Sequence, residues 1–121
     1  MSGVSGAPIE DLLATYAAMA STHGRATEAG DNDAANSAHE ELVATYRELR
    51  ARGADTLRGL LPFLGSRDAG IRLWAAAHSL DFAPGEAEPV LVELAAKPKS
   101  LVAFSAEIVL KEWRAGALRF P

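Results

Sequence analysis

Three histidines are the side chains of this sequence best suited to acid–base chemistry or metal binding. His39 opens the run HEELV, which matches the first half of the HExxH zinc helix, but the second ligand position holds Val43. The chain contains no cysteine, so thiolate ligands, thiolate catalysis and disulfides are excluded as well. We therefore expect no metal and no cofactor.

The run DAGIRLWAAAHSL, residues 68–80, carries the residues of a possible pocket. His78 shares an apolar helical stripe with Trp74, so its ring should be buried and needs a hydrogen-bond partner. A core histidine is the favoured interpretation, and the alternative is an enzyme or a small-molecule-binding protein that uses an inter-helix pocket near Arg72, Trp74 and His78. We expect Arg72 to pair with Asp68 or with a carboxylate on an adjacent helix.

Acidic side chains are concentrated in the first third of the chain. Residues 1–46 carry seven acidic side chains and one basic one, a local net charge of −6, whereas residues 47–121 carry nine acidic and eleven basic ones. This end of the molecule should repel nucleic acids and anionic membranes and attract a partner with a basic surface. The candidate binding residues are Asp31, Asp33, Glu40 and Glu41. Because Glu40 and Glu41 are adjacent on a predicted helix, they point about 100° apart and cannot flank one bond.

Helices must position all of these side chains. Apolar residues recur at helical spacing, and no alternating strand pattern occurs. The predicted helices span roughly residues 8–27, 33–51, 55–65, 69–81, 86–96 and 100–115. The third contains Pro62 and should be kinked. The fourth is apolar nearly all round, which predicts a central position. The apolar residues of the sixth are Leu101, Phe104, Ile108, Val109 and Trp113.

An internal repeat relates the third and fourth helices to the fifth and sixth. After a shift of 30 positions Leu57, Leu60, Leu61 and Leu64 align with Ala87, Val90, Leu91 and Leu94, and Ile71, Ala76 and Leu80 align with Leu101, Ala106 and Leu110. Two helices per period are typical of an α-solenoid. The sequence therefore predicts an all-α protein, an α-α superhelix of about six helices in three antiparallel hairpins. A single domain over residues 8–121 should follow a flexible leader, residues 1–7.

Two resemblances add to this prediction. Asp68, Ile71-Arg72, Ala75-Ala76 and Leu80 are similar to the inner-helix pattern of HEAT-like repeats, although Val102 stands at the arginine position of the second repeat. The runs YRELRARG, LLPFL, IRLWAAAHSL and AEIVLKEWRAGALRFP, within about residues 9–121, resemble a family of small uncharacterised bacterial proteins. That resemblance implies a HEAT-like superhelix and a bacterial source, and it implies no activity.

We expect a non-enzymatic, cytoplasmic protein that binds another protein, as a scaffold or an adaptor does. An immunity or antitoxin-like protein is one such possibility. The N-terminus lacks the pattern of a signal peptide and no apolar run is long enough to span a membrane. No continuous basic stripe favours nucleic acid. Monomer and homodimer both stay open, and an exposed apolar stripe on the first helix would favour a dimer.

Overall fold

The computed structural model describes residues 6–97 and 100–120, and within these ranges the chain forms helices and turns without a strand. The elements are α1 (Ile9–Ala29), α2 (Asn32–Ala51), α3 (Ala54–Leu57) with a 3₁₀ segment (Arg58–Gly65), α4 (Ala69–Ser79), α5 (Pro84–Ala95) and α6 (Leu101–Arg114). The all-α prediction is confirmed, and the HEAT-like superhelix stays a prediction. Residues 1–5 of the expected leader lie outside the described ranges.

Side-chain caps fix where three of the helices begin. The carboxylate of Asp31 accepts from the amide of Ala34, and Asp68 accepts from the amide of Ile71. The hydroxyl of Ser100 accepts from the amide of Ala103 at the start of α6. Each bond satisfies a backbone donor that has no partner inside its helix, which typically contributes about 1 kcal/mol.

The third helix differs from the prediction of one kinked α-helix. Only residues 54–57 are α-helical, and residues 58–65 continue as a 3₁₀ helix that contains Pro62. Pro62 has no amide hydrogen, and in an α-helix its ring would clash with the carbonyl of residue 58. The tighter 3₁₀ path avoids that clash over its short length.

Helix α4 is the central element, as its composition predicts. It contacts α1, the 3₁₀ segment, α5 and α6. Every residue from Ala75 to Leu80 is buried. One apolar cluster lies on the side of α1 and α2 and includes Tyr16 and Leu42, and a second lies on the side of α5 and α6 and includes Leu80 and Leu91.

Two glycines set the distance between α1 and α4. A Cβ atom on Gly70 would lie 2.7 Å from the carbonyl oxygen of Ala20 and 3.4 Å from the Cα atom of Gly24. A Cβ atom on Gly24 would in turn lie 3.3 Å from the Cα atom of Gly70. The two helices therefore cross with their backbones nearly in contact, an approach that larger side chains would prevent.

The C-terminal tail after α6 joins the two apolar clusters. Leu118 packs against the cluster of α5 and α6, and Phe120 packs against the cluster of α1 and α2. The ring of Phe120 meets the ring of His78 edge-on, with 4.6 Å between centroids. Leu118 and Phe120 therefore connect the α5–α6 side of the core with the α1–α2 side.

No helix in the described ranges has both the length and the apolar composition that a membrane crossing requires.

Candidate functional site

His78 is enclosed by aromatic rings. Its ring stacks on that of Tyr46 at a centroid distance of 3.8 Å and an interplanar angle of 10°. The hydroxyl of Tyr16 shares a hydrogen bond of 2.6 Å with its Nδ1 atom. The residue is 3% exposed, and Trp74 and Phe120 cover two further sides. His78 is therefore a core histidine with a satisfied ring nitrogen.

Burial also governs the protonation of this core. Because an imidazolium would lose its hydration there, burial lowers the pKa of His78 to about 3, and the charges of Arg50 and His39 act in the same direction. Burial raises the pKa of Tyr16 well above its usual range, with a further contribution from Tyr46. Both groups are neutral at physiological pH.

The other two histidines flank Trp74 nearer the surface. The indole nitrogen of Trp74 donates to Nδ1 of His23 over 3.3 Å, and the rings of His23 and His39 lie 6.0 Å apart between centroids. Burial, followed by the nearby His39, lowers the pKa of His23. Within residues 6–97 and 100–120 no three His, Cys, Asp or Glu side chains lie close enough together to hold a metal ion.

Arg72 lies on a different face of α4 from Trp74. Residues two positions apart on a helix point about 200° apart, so Arg72 and Trp74 face different neighbours. Arg72 forms a salt bridge of 2.5 Å with Glu93 on α5, the adjacent-helix pair that we expected, and also donates to the carbonyl of Leu64. The inter-helix pocket near these residues stays an untested alternative.

The cleft beside Trp74 is small. It has a volume of about 20 Å³, and Trp74 and His23 line it whereas His78 does not. A cavity of this size holds about one water molecule.

The four candidate acidic residues are all exposed, on α2 and at its start. One carboxylate oxygen of Asp31 accepts the hydrogen bond that caps α2. Asp33 and Glu40 are seven positions apart and share one face of the helix, and Glu41 lies on the adjoining face. They form an exposed acidic surface, and their role in binding stays a prediction.

A wider groove lies where α1, α4 and α6 meet. Its volume is about 470 Å³, and its lining includes Ser21, Arg25, Glu28, Asp68 and Val102 together with the two glycines of the α1–α4 crossing. The hydroxyl of Ser21 donates to Asp68 over 2.5 Å, and Arg25 approaches the same carboxylate to 3.9 Å.

The polar groups of this groove already satisfy one another. Burial alone would raise the pKa of Asp68, but hydrogen bonds from Ser21 and from the amides of Ile71 and Gly70, together with the charge of Arg25, lower it. The carboxylate of Glu28 caps α6 by accepting from the amides of Leu101 and Val102 over 2.7 and 3.3 Å. These contacts connect α1 with the start of α4 and the start of α6. The charged side chains that line the groove therefore already have partners inside the protein.

An apolar stripe on α6 faces solvent. Leu101, Phe104 and Ile108 are 44%, 60% and 41% exposed, whereas Ala103 and Ala106 are buried on the opposite side of the same helix. A groove of about 540 Å³ lies on the same helix, along Glu107, Lys111 and Arg114. We define Leu101, Phe104 and Ile108 as the α6 stripe.

The sequence prediction treats these three residues only as part of the apolar face of the sixth helix. A second apolar stripe on the same helix could have indicated that the first one is exposed. This second stripe consists of Ala103, Ala106 and Leu110, all of which are buried. Ala106 and Leu110 of this second stripe belong to the core cluster, and Val109 and Trp113 pack against that cluster, whereas Leu101, Phe104 and Ile108 are left exposed. The exposed stripe therefore lies on α6, not on the first helix.

Comparisons with known proteins agree with the helical fold. The crystal structure of the protein RPA1889 from Rhodopseudomonas palustris CGA009 matches with a TM-score of 0.89 over 100% of both chains at 21% sequence identity, a likeness that concerns the fold alone. No curated protein matches the chain by sequence. The family model described as Domain of unknown function (DUF2019) matches residues 10–113. Since that match covers most of the sequence, this chain belongs to the family named Domain of unknown function (DUF2019).

Proposed function

We propose that this chain is a non-enzymatic protein-binding module that presents the α6 stripe to a partner. The observation that carries this proposal is the exposure of three large apolar side chains on one helix face, with Phe104 60% exposed. Exposed apolar residues that form a contiguous patch mark interaction surfaces, and aromatic side chains dominate the binding energy of such surfaces.

The enclosure of His78 supports a non-enzymatic role. A general base works best when its pKa lies near the working pH and when it can reach the substrate. The pKa of His78 is about 3, and four aromatic side chains surround its ring. The side chain best suited to proton transfer is thus engaged in packing.

The acidic surface of α2 favours a basic partner. Asp33, Glu40 and Glu41 are exposed and make no ion pair within the described ranges. An immunity or antitoxin-like protein that covers a basic toxin surface is one version of this function. The absence of cysteine is consistent with a reducing cytoplasm as its location.

A photo-crosslinking amino acid at position 104 tests the binding role in the cell that makes the protein. We expect one defined protein to be cross-linked from position 104 and not from position 14, an exposed alanine on α1. Identical cross-linking patterns from the two positions, or no cross-linked protein from position 104, would contradict the proposal.

Neutralisation of the acidic surface tests the electrostatic version separately. The combined variant Asp31→Asn, Asp33→Asn, Glu40→Gln and Glu41→Gln should bind the identified partner more weakly at low ionic strength, where charge attraction is least screened. Unchanged affinity in low salt would exclude the electrostatic version and leave the role of the α6 stripe intact.

A further inference from the structure

Three aromatic side chains from three helices meet near the surface of the protein. His23 lies on α1, His39 on α2 and Trp74 on α4. The ring centroid of Trp74 is 5.3 Å from that of His23 and 5.6 Å from that of His39, and the two imidazole centroids are 6.0 Å apart. His39 is exposed, and His23 and Trp74 are partly buried. We define these three residues as the histidine–tryptophan cluster.

The hydrogen bond inside this cluster requires a neutral His23. The indole nitrogen of Trp74 can only donate, so Nδ1 of His23 accepts the bond of 3.3 Å with its lone pair. The hydrogen of the neutral imidazole is then on Nε2. Protonation of the ring adds a hydrogen to Nδ1, and two N–H groups would face each other. The bond between α1 and α4 is therefore incompatible with the charged form of His23.

No carboxylate offsets a positive charge on these rings. Within residues 6–97 and 100–120, no acidic side chain forms an ion pair with His23 or His39. On α2, Glu40 directly follows His39 and points about 100° away from it. The part of α6 that lines the cleft beside Trp74 contributes only the uncharged residues 101, 102 and 105.

The charged side chains nearest to the cluster on α1 and α4 have other partners. On α1, Arg25 donates to the hydroxyl of Ser21, and Glu28 accepts from the amide of Leu101. On α4, Arg72 forms its salt bridge with Glu93. The charge that an imidazolium of one histidine meets in the cluster is therefore that of the other histidine.

Only the outer histidines can respond to mild acid. Burial and the nearby His39 lower the pKa of His23 from 6.5, so its ring is neutral at neutral pH and becomes charged on acidification. The pKa of His78, whose ring lies on another side of Trp74, is about 3. The core histidine thus stays neutral while the cluster titrates.

We propose that the histidine–tryptophan cluster is an acid-sensitive switch in which protonation of His23 breaks its hydrogen bond with Trp74 and releases the indole from α1 and α2. Repulsion between the charged rings of His23 and His39 acts in the same direction. The small cleft beside Trp74 then widens towards solvent, and a return to neutral pH closes it. This inference goes beyond the proposed function and does not depend on the α6 stripe.

The exposure of Trp74 measures the switch. Trp113→Phe leaves Trp74 as the single tryptophan, and acrylamide quenching of its fluorescence then reports its access to solvent. We expect the quenching constant to increase about twofold or more from about pH 7.5 to about pH 4.5, reversibly and with unchanged far-UV circular dichroism.

Glutamine variants in the same background assign the effect to the histidines. The amide oxygen of His23→Gln can still accept from Trp74 but does not titrate, so quenching should become independent of pH. His39→Gln should keep the transition and move its midpoint to higher pH, because it removes the repulsion that disfavours a charged His23.

A second measurement follows the same coupling from the side of His23. Trp74→Phe keeps an aromatic ring and removes the donor to the neutral imidazole, which should raise the pKa of His23 by about 0.5 unit or more. Proton NMR of the imidazole ring measures this pKa. Trp113→Phe is the matched control and should leave the pKa of His23 unchanged.

Three results would overturn the switch. The first is quenching of Trp74 that does not change with pH, or that changes at the same midpoint in His23→Gln. The second is an unchanged pKa of His23 in Trp74→Phe. The third is a loss of far-UV circular dichroism over the same pH range, which would show acid unfolding in place of a local release. Each of them would leave the proposed binding role of the α6 stripe unaffected.

Discussion

The hydroxyl of Tyr16 on α1 and Nδ1 of His78 on α4 share a hydrogen bond of 2.6 Å although the two residues are 62 positions apart in sequence. The bond lies inside the core, where neither atom has access to water. It therefore joins the first hairpin to the central helix with directional geometry, in addition to the packing of apolar groups between them.

Tyr16→Phe should destabilise the protein by about 1–3 kcal/mol, because it leaves a buried nitrogen of His78 without a partner. Urea unfolding followed by circular dichroism measures the change. In a His78→Phe background the same substitution should cost much less, since the ring nitrogen that shares the hydrogen bond is already gone. Equal costs in the two backgrounds would show that this hydrogen bond does not couple the residues.

The free energy of unfolding should fall as the pH decreases from about 6.5 towards 3. The unfolded chain protonates His78 near its ordinary pKa of 6.5, whereas the folded protein resists protonation until about pH 3. The unfolded state therefore binds more protons in this window, and stability increases with pH by up to about 1.4 kcal/mol per pH unit.

Measurement between pH 6.5 and 4.5 avoids most of the titration of Asp68, whose pKa is lowered from 3.8. His23 contributes in the same direction because its pKa is also lowered. His78→Phe should flatten the dependence of stability on pH in this window. A slope that survives this substitution unchanged would assign the pH dependence to other groups.

Gly70→Ala should destabilise the protein by about 1–3 kcal/mol, since the added methyl group would force α1 and α4 apart. Gly85→Ala is the matched control because a Cβ atom there meets nothing within 4 Å. The control should be neutral or stabilising by up to about 1 kcal/mol, as alanine restricts the unfolded chain. Thermal unfolding compares the two variants. Equal melting temperatures would contradict the close crossing of the helices.

Phe120→Ala should destabilise the protein by about 1–3 kcal/mol, because its ring covers His78 and packs against the cluster of α1 and α2. Arg119→Ala removes a neighbouring exposed side chain and should change stability by less than about 0.5 kcal/mol. Chemical unfolding measures both variants. If they have equal stability, the tail does not tie the two clusters together.

Helix positions were predictable from the sequence because each depends on local spacing and capping. The apolar residues of α4 and the cap at Asp68 indicate its start and its central place without any knowledge of neighbours. The 3₁₀ segment was not predicted, because the response of a helix to Pro62 depends on the packing around it. In this case α4 and α5 both contact the segment.

The candidate site was less predictable because it depends on contacts between distant residues. Gly24 and Gly70 have ordinary sequence surroundings, and only the crossing of α1 and α4 explains why both are glycine. The α6 stripe was present in the sequence as apolar residues, but a helix with two apolar stripes does not reveal which one faces the core. The acidic residues were predicted to be exposed because charged groups lose hydration on burial.

The most direct test of the central claim uses the purified partner that is cross-linked from position 104. Its dissociation constant is measured for the wild-type chain and for Phe104→Ser. The account predicts a dissociation constant at least about tenfold larger for Phe104→Ser, and no change for Ile9→Ser, the control that removes an exposed apolar side chain from α1. Equal dissociation constants for the wild-type chain and Phe104→Ser would contradict the claim that the α6 stripe is the binding surface.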